Sequence, residues 1–313
     1  MKKFSLILLI IVIFSFSGCG NKLSNNEDGK KINVVATIFP QYDFTRQIAK
    51  DKVNLKMLIP PGAESHSYEP TPQDIINIQK SDLFIYVGGE NDEWIKDILN
   101  SMDTSKKTII SLVDCVNTCE EDFKTIAPDQ EISHNESKEI DEHVWTSPAN
   151  AKKITEKISE TLCKLDSKNS DFYTKNTKEF VNQLSILDNN FKKIVSNSKR
   201  KTLVFGDRFP FRYFVEEYGL NYYAAFPGCA SQTDTNATKI AFLIDKIKQN
   251  NIPVVLKMEL SNENIAKSLA EATNTKVLTM YSCHNAPKDD FENGVTYLDY
   301  MNKNLNVLEE ALN

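Results

Sequence analysis

The chain is predicted to be an α/β protein, built as two α/β lobes with mostly parallel sheets joined by a long helix. Three observations predict it. Short β-rich runs alternate with helical patterns across residues 32–113, the same alternation returns across 200–281, and two uninterrupted helical patterns lie between. Strands separated by helices cannot pair as hairpins, so each lobe is expected to form a parallel sheet.

In the first lobe, residues 32–147, the β-rich runs are INVVAT (32–37), VNLKMLI (53–59), DLFIYVG (82–88) and KTIISLV (107–113). PQYDFTRQIAK and NDEWIKDILNSM carry helical patterns between them, and PQDIINIQK opens on Pro72 behind Thr71 as its cap. Residues 114–142 hold ten acidic residues against two lysines with no periodicity, so a solvated acidic loop is expected. The linking helices occupy 148–199. Ser147 and Pro148 signal the start of the first, whose apolar positions are Ala151, Ile154, Ile158, Leu162 and Leu165. Phe180, Leu184, Leu187, Phe191 and Ile194 then mark the longer one. The second lobe, 200–313, repeats the alternation with TLVFG (202–206), LNYYAAF (220–226), IPVVLKM (252–258) and KVLTMY (276–281), and a closing helix runs from about Val295 to Leu312.

The N-terminus reads differently. Lys2 and Lys3 precede an apolar run from Leu6 to Phe14 that is too short to span a bilayer, and Ser17 and Gly18 lead to Cys19. Residues 1–18 are therefore expected to be a signal peptide and 19–31 a flexible polar stalk. FSGC (16–19) resembles the lipobox of bacterial lipoproteins, with Phe16 where leucine is usual. The resemblance implies lipid modification of Cys19 and anchoring outside the cytoplasm by two acyl chains. A net charge of −6 argues against a nucleic-acid partner, which would need a basic face.

Ligands of open parallel sheets bind beyond the carboxyl ends of the strands. His66 follows the run ending at Ile59, and His284 follows the one ending at Tyr281. Asp207 comes directly after Gly206, and His143 stands just before the first linking helix. Three of the four histidines can thus converge between the lobes, while His134 falls in the acidic loop. Three neutral imidazoles and one further oxygen or sulfur donor would complete a tetrahedral zinc shell.

VVATIFPQYDFTRQIA, PPGAESHSYEPTPQDI, DLFIYVGGENDEWI and DEHVWTSPANA resemble the successive motifs of the cluster A-I solute-binding proteins, the zinc and manganese receptors of bacterial ABC importers. The resemblance runs from about residue 33 to the C-terminus. It implies two lobes on a rigid backbone helix with the metal between them, and it places ligand histidines at His66 and His143. Gly206 stands where many relatives carry a third ligand histidine, and an acidic ligand carried by many members after a late strand is missing. His284 is expected to replace the missing histidine, since a branch of zinc-type receptors combines FGDRFPFRY with SCHN. Asp207 is the tentative fourth ligand, ahead of Glu64, Glu142, Glu259 or water.

Among the cysteines, Cys229 and Cys283 each follow a second-lobe strand and could form a disulfide, with thiolate ligation by Cys283 as an alternative. Cys115 and Cys119 could pair in the loop, and Cys163 fits a small core position. The expectation is a monomeric, non-enzymatic, lipid-anchored receptor that captures Zn(II) and delivers it to a membrane permease served by a cytoplasmic ATPase. Three imidazoles favour zinc over manganese. A manganese receptor of the same family, a metal-dependent surface adhesin and a zinc hydrolase are the alternatives. The hydrolase would need an open coordination position and a poised base.

Overall fold

The computed structural model describes residues 30–64, 68–89, 92–121, 126, 140–228 and 236–313. The signal peptide, Cys19 and nearly all of the stalk lie outside the described residues, as do His66, His134 and Cys229. No helix among the described residues is long and apolar enough to cross a membrane.

In the first lobe β1 (Asn33–Ala36), β2 (Asn54–Met57), β3 (Leu83–Tyr86) and β4 (Thr108–Ser111) form a parallel sheet in the order β2-β1-β3-β4. The central β1 and β3 are nearly continuous apolar runs because helices cover both faces, whereas the edge strand β2 leaves Asn54 and Lys56 exposed. β2 stops short of the expected Ile59. Leu58 and Ile59 still donate their backbone N–H groups to Ala36 and Thr37 as the chain leaves the sheet. The lobe's helices are α1 (Phe39–Ala49), α2 (Pro72–Lys80) and α3 (Glu93–Asn100). Thr71 and Asp74 cap α2 reciprocally, as the Thr-Pro start predicts.

α4 (Pro148–Leu165) and α5 (Ser170–Asn197) are the linking helices. The 28 residues of α5 make a rod roughly 42 Å long at 1.5 Å per residue. Both lobes rest on it. Phe180 meets Phe44 of α1 at 5.9 Å between ring centroids, and Phe191 meets Phe214 of the second lobe at 5.0 Å.

The second sheet takes β5 (Thr202–Phe209), β6 (Asn221–Pro227), β7 (Val254–Lys257) and β8 (Lys276–Thr279) in the order β6-β5-β7-β8, again all parallel. Its helices are α6 (Arg212–Tyr218), α7 (Ala237–Gln249), α8 (Asn264–Thr273), α9 (Lys288–Glu292) and α10 (Tyr297–Leu312). β5 runs three residues past the expected end at Gly206, with a register shift between Phe205 and Arg208. A Cβ placed on Gly206 would lie 2.6 Å from Ala266 Cα, so the missing side chain lets α8 sit directly on the strand.

α10 ties the lobes together. Tyr297 donates its N–H to Asp43 of α1 at 2.8 Å and its hydroxyl to the Trp145 carbonyl at 2.8 Å. One continuous apolar core runs from the first sheet through α4 and α5 to the second.

Two expectations are corrected here. At its C-terminal end the acidic stretch 114–142 is packed rather than solvated, since Asp141 and Glu142 are buried, and Ile126 bridges to Ala224 of β6, whereas Asp114, Asn117, Thr118 and Glu120 are exposed. The reason is Tyr213, whose hydroxyl donates to the Asp141 carbonyl and accepts from the Cys119 N–H, drawing both ends onto the second lobe. Cys115 and Cys119 are free thiols rather than a pair, and Cys115 Sγ is directed at the Ser111 carbonyl instead.

Candidate metal centre

Both sheets reverse strand order between their two central strands, and residues at the carboxyl ends of β5, β6 and β7 line the cleft between the lobes. Ala63 and Glu64 line it from the first lobe together with His143, opposite Arg208, Glu259, Ser282, His284 and Asn285 of the second, around a small cavity of about 30 Å³.

His143 sits on a one-turn 3-10 segment, Val144–Thr146, that feeds α4. Its ring is fully buried, and Nδ1 lies 3.2 Å from Asp141 Oδ1, which also accepts the His143 backbone N–H at 2.8 Å. A carboxylate on Nδ1 favours the tautomer that leaves the Nε2 lone pair available to a ligand. Burial pulls the His143 imidazole towards its neutral form, but the charge of Asp141, its hydrogen bond and the charges of Glu121 and Glu142 outweigh it and raise the pKa above the ordinary value. Gly228, just past β6, makes room: a Cβ there would stand 3.1 Å from His143 Cε1 and 2.8 Å from the Phe209 carbonyl.

His284 arrives from the loop after β8. Its ring centroid lies 5.4 Å from that of His143, with the planes at 78°, and Trp145 stands edge-on to both at 5.4 and 5.1 Å. The loop is braced from below. Glu259 accepts both the Ser282 N–H and the Ser282 hydroxyl at 2.7 Å, the hydroxyl oxygen accepts from the His284 N–H at 3.2 Å, and Trp145 Nε1 donates to the Ser282 carbonyl at 2.8 Å. Burial raises the Glu259 pKa, opposed by the hydrogen bonds from Ser282.

The structure thus brings His143 and His284 together, while His66 lies outside the described residues. Among the described residues, no group of three or more His, Cys, Asp or Glu side chains is arranged to hold an ion. Asp207 is not among the residues that line the cleft, although its partners Arg208 and Met258 are. Its Oδ1 accepts the Arg208 N–H at 2.8 Å and its Oδ2 the Met258 N–H at 2.9 Å, so the carboxylate ties β5 to the end of β7. Cys283 is a fully buried free thiol, and Cys229, its expected disulfide partner, lies outside the described residues. Burial, together with the charges of Glu259 and Asp43, drives its pKa well above the ordinary thiol value, which disfavours the thiolate a ligand needs.

Sequence reasoning passed over Asp141, although a carboxylate two residues before a histidine was the available signal. It also missed Asn285 and the pairing of Arg208 Nη2 with Glu64 Oε2 at 2.7 Å across the cleft. No local pattern announces those two.

Comparison with known proteins gives a consistent picture. The family model described as "ZnuA: Zinc-uptake complex component A periplasmic" matches residues 34–311. The "High-affinity zinc uptake system protein ZnuA" of Bacillus subtilis is 30% identical over 318 residues, covering 99% of this chain and 98% of that protein. The "Zinc-binding lipoprotein AdcA" of Streptococcus pneumoniae is 30% identical over 314 residues, and the alignment spans 61% of its length. The crystal structure of the Zn(II)-bound ZnuA-like domain of that AdcA superimposes with a TM-score of 0.74 at 27% identity, covering 90% of this chain and 99% of the domain.

Proposed function

The chain belongs to the ZnuA family of periplasmic zinc-uptake components, and on that premise we propose that it captures Zn(II) between its lobes and hands it to an ABC-type permease. The observation that carries this reading is the meeting of His143 and His284 at 5.4 Å across the cleft, one imidazole preceding α4 and the other following β8. His66 is proposed as the third nitrogen donor, from the loop that continues beyond Glu64. A nitrogen-rich set favours Zn(II) over Mn(II), which prefers more oxygen donors. Of the carboxylates considered, Glu64 and Glu259 line the cleft and Asp207 does not, so the fourth position is assigned to one of those two or to water.

Capture requires deprotonated imidazoles, and Asp141 supports this by holding His143 Nδ1 so that the lone pair of Nε2 is offered to the ion. The zinc ion is cargo in this reading, and the chain performs no chemical reaction on it. Lipid attachment at Cys19 and a monomeric state belong to the same proposal. The FSGC stretch supports the anchor, and replacing Cys19 by Ala is expected to move the protein from the membrane fraction into the medium.

The test is metal analysis of the purified protein followed by competition between zinc and manganese. Zinc is expected to be retained against excess manganese, with His143→Ala lowering affinity by orders of magnitude in a protein that still folds. A strong manganese preference would overturn the choice of metal. Undiminished affinity in His143→Ala would remove that residue from the site.

A further inference from the structure

Two loops from opposite lobes are joined directly beside the cleft. Asn285 Nδ2 donates to the Pro60 carbonyl at 2.9 Å and to the Ala63 carbonyl at 2.8 Å, while Gly62 N–H donates to the Ala286 carbonyl at 2.8 Å. The orientation of the Asn285 amide follows from its partners. Its Oδ1 accepts the Ala286 N–H at 2.8 Å, which leaves both protons of the nitrogen for the two carbonyls. Asn285 as a residue is 4% exposed, while Pro60 is exposed and Ala63 half-buried, so these bonds are sheltered from water at their amide end. Gly62 adopts φ +79°, a backbone conformation that side chains disfavour, and this turn presents the Pro60 and Ala63 carbonyls to one amide. At the more exposed edge of the same rim, Arg208 of β5 pairs with Glu64.

We propose that Asn285 is a positioning residue that sets how fast metal leaves the cleft, by clasping the first-lobe rim Pro60–Glu64 to the loop that carries His284. This rests on the reading of the cleft as a zinc site. Asn285 is the next residue after His284, and Ala63 and Glu64 line the cleft opposite it. In this proposal an ion held there leaves as the rim separates, and separation breaks the two Asn285 bonds, the Gly62 bond and the Arg208–Glu64 pair together. Burial at the amide end makes the Asn285 bonds the costly part, because parting leaves the Asn285 amide and the Ala63 carbonyl without partners until water enters, while the Pro60 carbonyl keeps the Ala63 N–H. The exposed ion pair contributes less. The clasp therefore acts on dissociation more than on encounter, as most affinity differences at a fixed site do.

The experiment uses zinc-loaded wild-type protein and Asn285→Ala, each mixed with an excess of chromophoric chelator in a stopped-flow instrument. Association is followed through the fluorescence of Trp145, and melting of the metal-free proteins is recorded alongside. Asn285→Ala is expected to release zinc about tenfold faster or more, as the loss of two hydrogen bonds implies, with association changed by less than about twofold. Release at the wild-type rate overturns the clasp. A slowed association with unchanged release, or a lowered melting temperature of the metal-free protein with unchanged release, also overturns it, because either marks a merely structural role. If Asn285→Ala does not fold, Asn285→Ser is read instead: its hydroxyl is too short to reach both carbonyls, and release no faster than wild type overturns the proposal. Failure of the wild-type protein to bind zinc at all would remove the metal-capture reading itself, whereas normal binding with unaltered release removes the clasp alone.

Discussion

At the scale of single residues, the site is an exercise in committing polar atoms. Asp141 is wholly buried and gives Oδ1 to both the ring and the backbone of His143, so its value to the protein lies in orienting that imidazole. Asp141→Asn is expected to weaken zinc binding by about 10–100-fold, the usual effect of losing a carboxylate behind a ligand histidine, as isothermal titration would measure. On the proposed reading, protons compete with zinc for His143. Its raised pKa means that protonation stabilises the metal-free fold below the unfolded imidazole value, a contribution lost as pH rises through the folded one. Zinc binding has the opposite slope, so the gain in melting temperature produced by zinc should be large at pH 8 and shrink on acidification; an equal gain at pH 5.5 would contradict the assignment. Asp92 offers a separate check. Burial pushes it up to about 7, against the N–H groups of Gly88 and Val87 that its carboxylate accepts and with the help of the Glu142 charge. The native state then holds a proton that the unfolded chain has already released, and stability falls as pH rises through that window. Asp92→Asn should therefore raise the melting temperature more at pH 8 than at pH 5.

At the scale of elements, the alternation of β-rich and helical runs was legible because a parallel sheet covered by helices forces that rhythm on the sequence. The caps were legible for the same local reason, as Thr71 with Asp74 and Ser147 with Pro148 illustrate. The extent of β5 was not. Its register shift turns the Asp207 carboxylate onto the Met258 N–H, a bond between residues 51 apart in sequence that no periodicity encodes. Gly206 is the pivot of this arrangement. Gly206→Ala should destabilise the protein by roughly 1–3 kcal/mol through overpacking against the backbone of α8, read as a lowered urea midpoint; an unchanged midpoint would show that α8 yields.

At the scale of the whole molecule, α5 and the continuous core make the lobes one mechanical body. Phe44, Phe180, Phe191 and Phe214 link the first lobe, the helix and the second lobe by ring contacts, and Tyr297 bonds to Asp43 and Trp145 across the same junction. A single cooperative unfolding transition is therefore expected in calorimetry, with van't Hoff and calorimetric enthalpies in agreement. Two resolved transitions would mean that the lobes fold independently.

The sequence by itself determined the element order, the division into two lobes, the histidines worth watching and the family. Each of these rests on local patterns or on short motifs that survive without coordinates. Only the tertiary structure decided that His143 and His284 face one another, that Asp207 is occupied elsewhere, and that Asn285 reaches across the cleft. Where a side chain at a strand end points depends on register, on bulges and on what packs behind it, and those are settled by contacts between residues far apart in the chain.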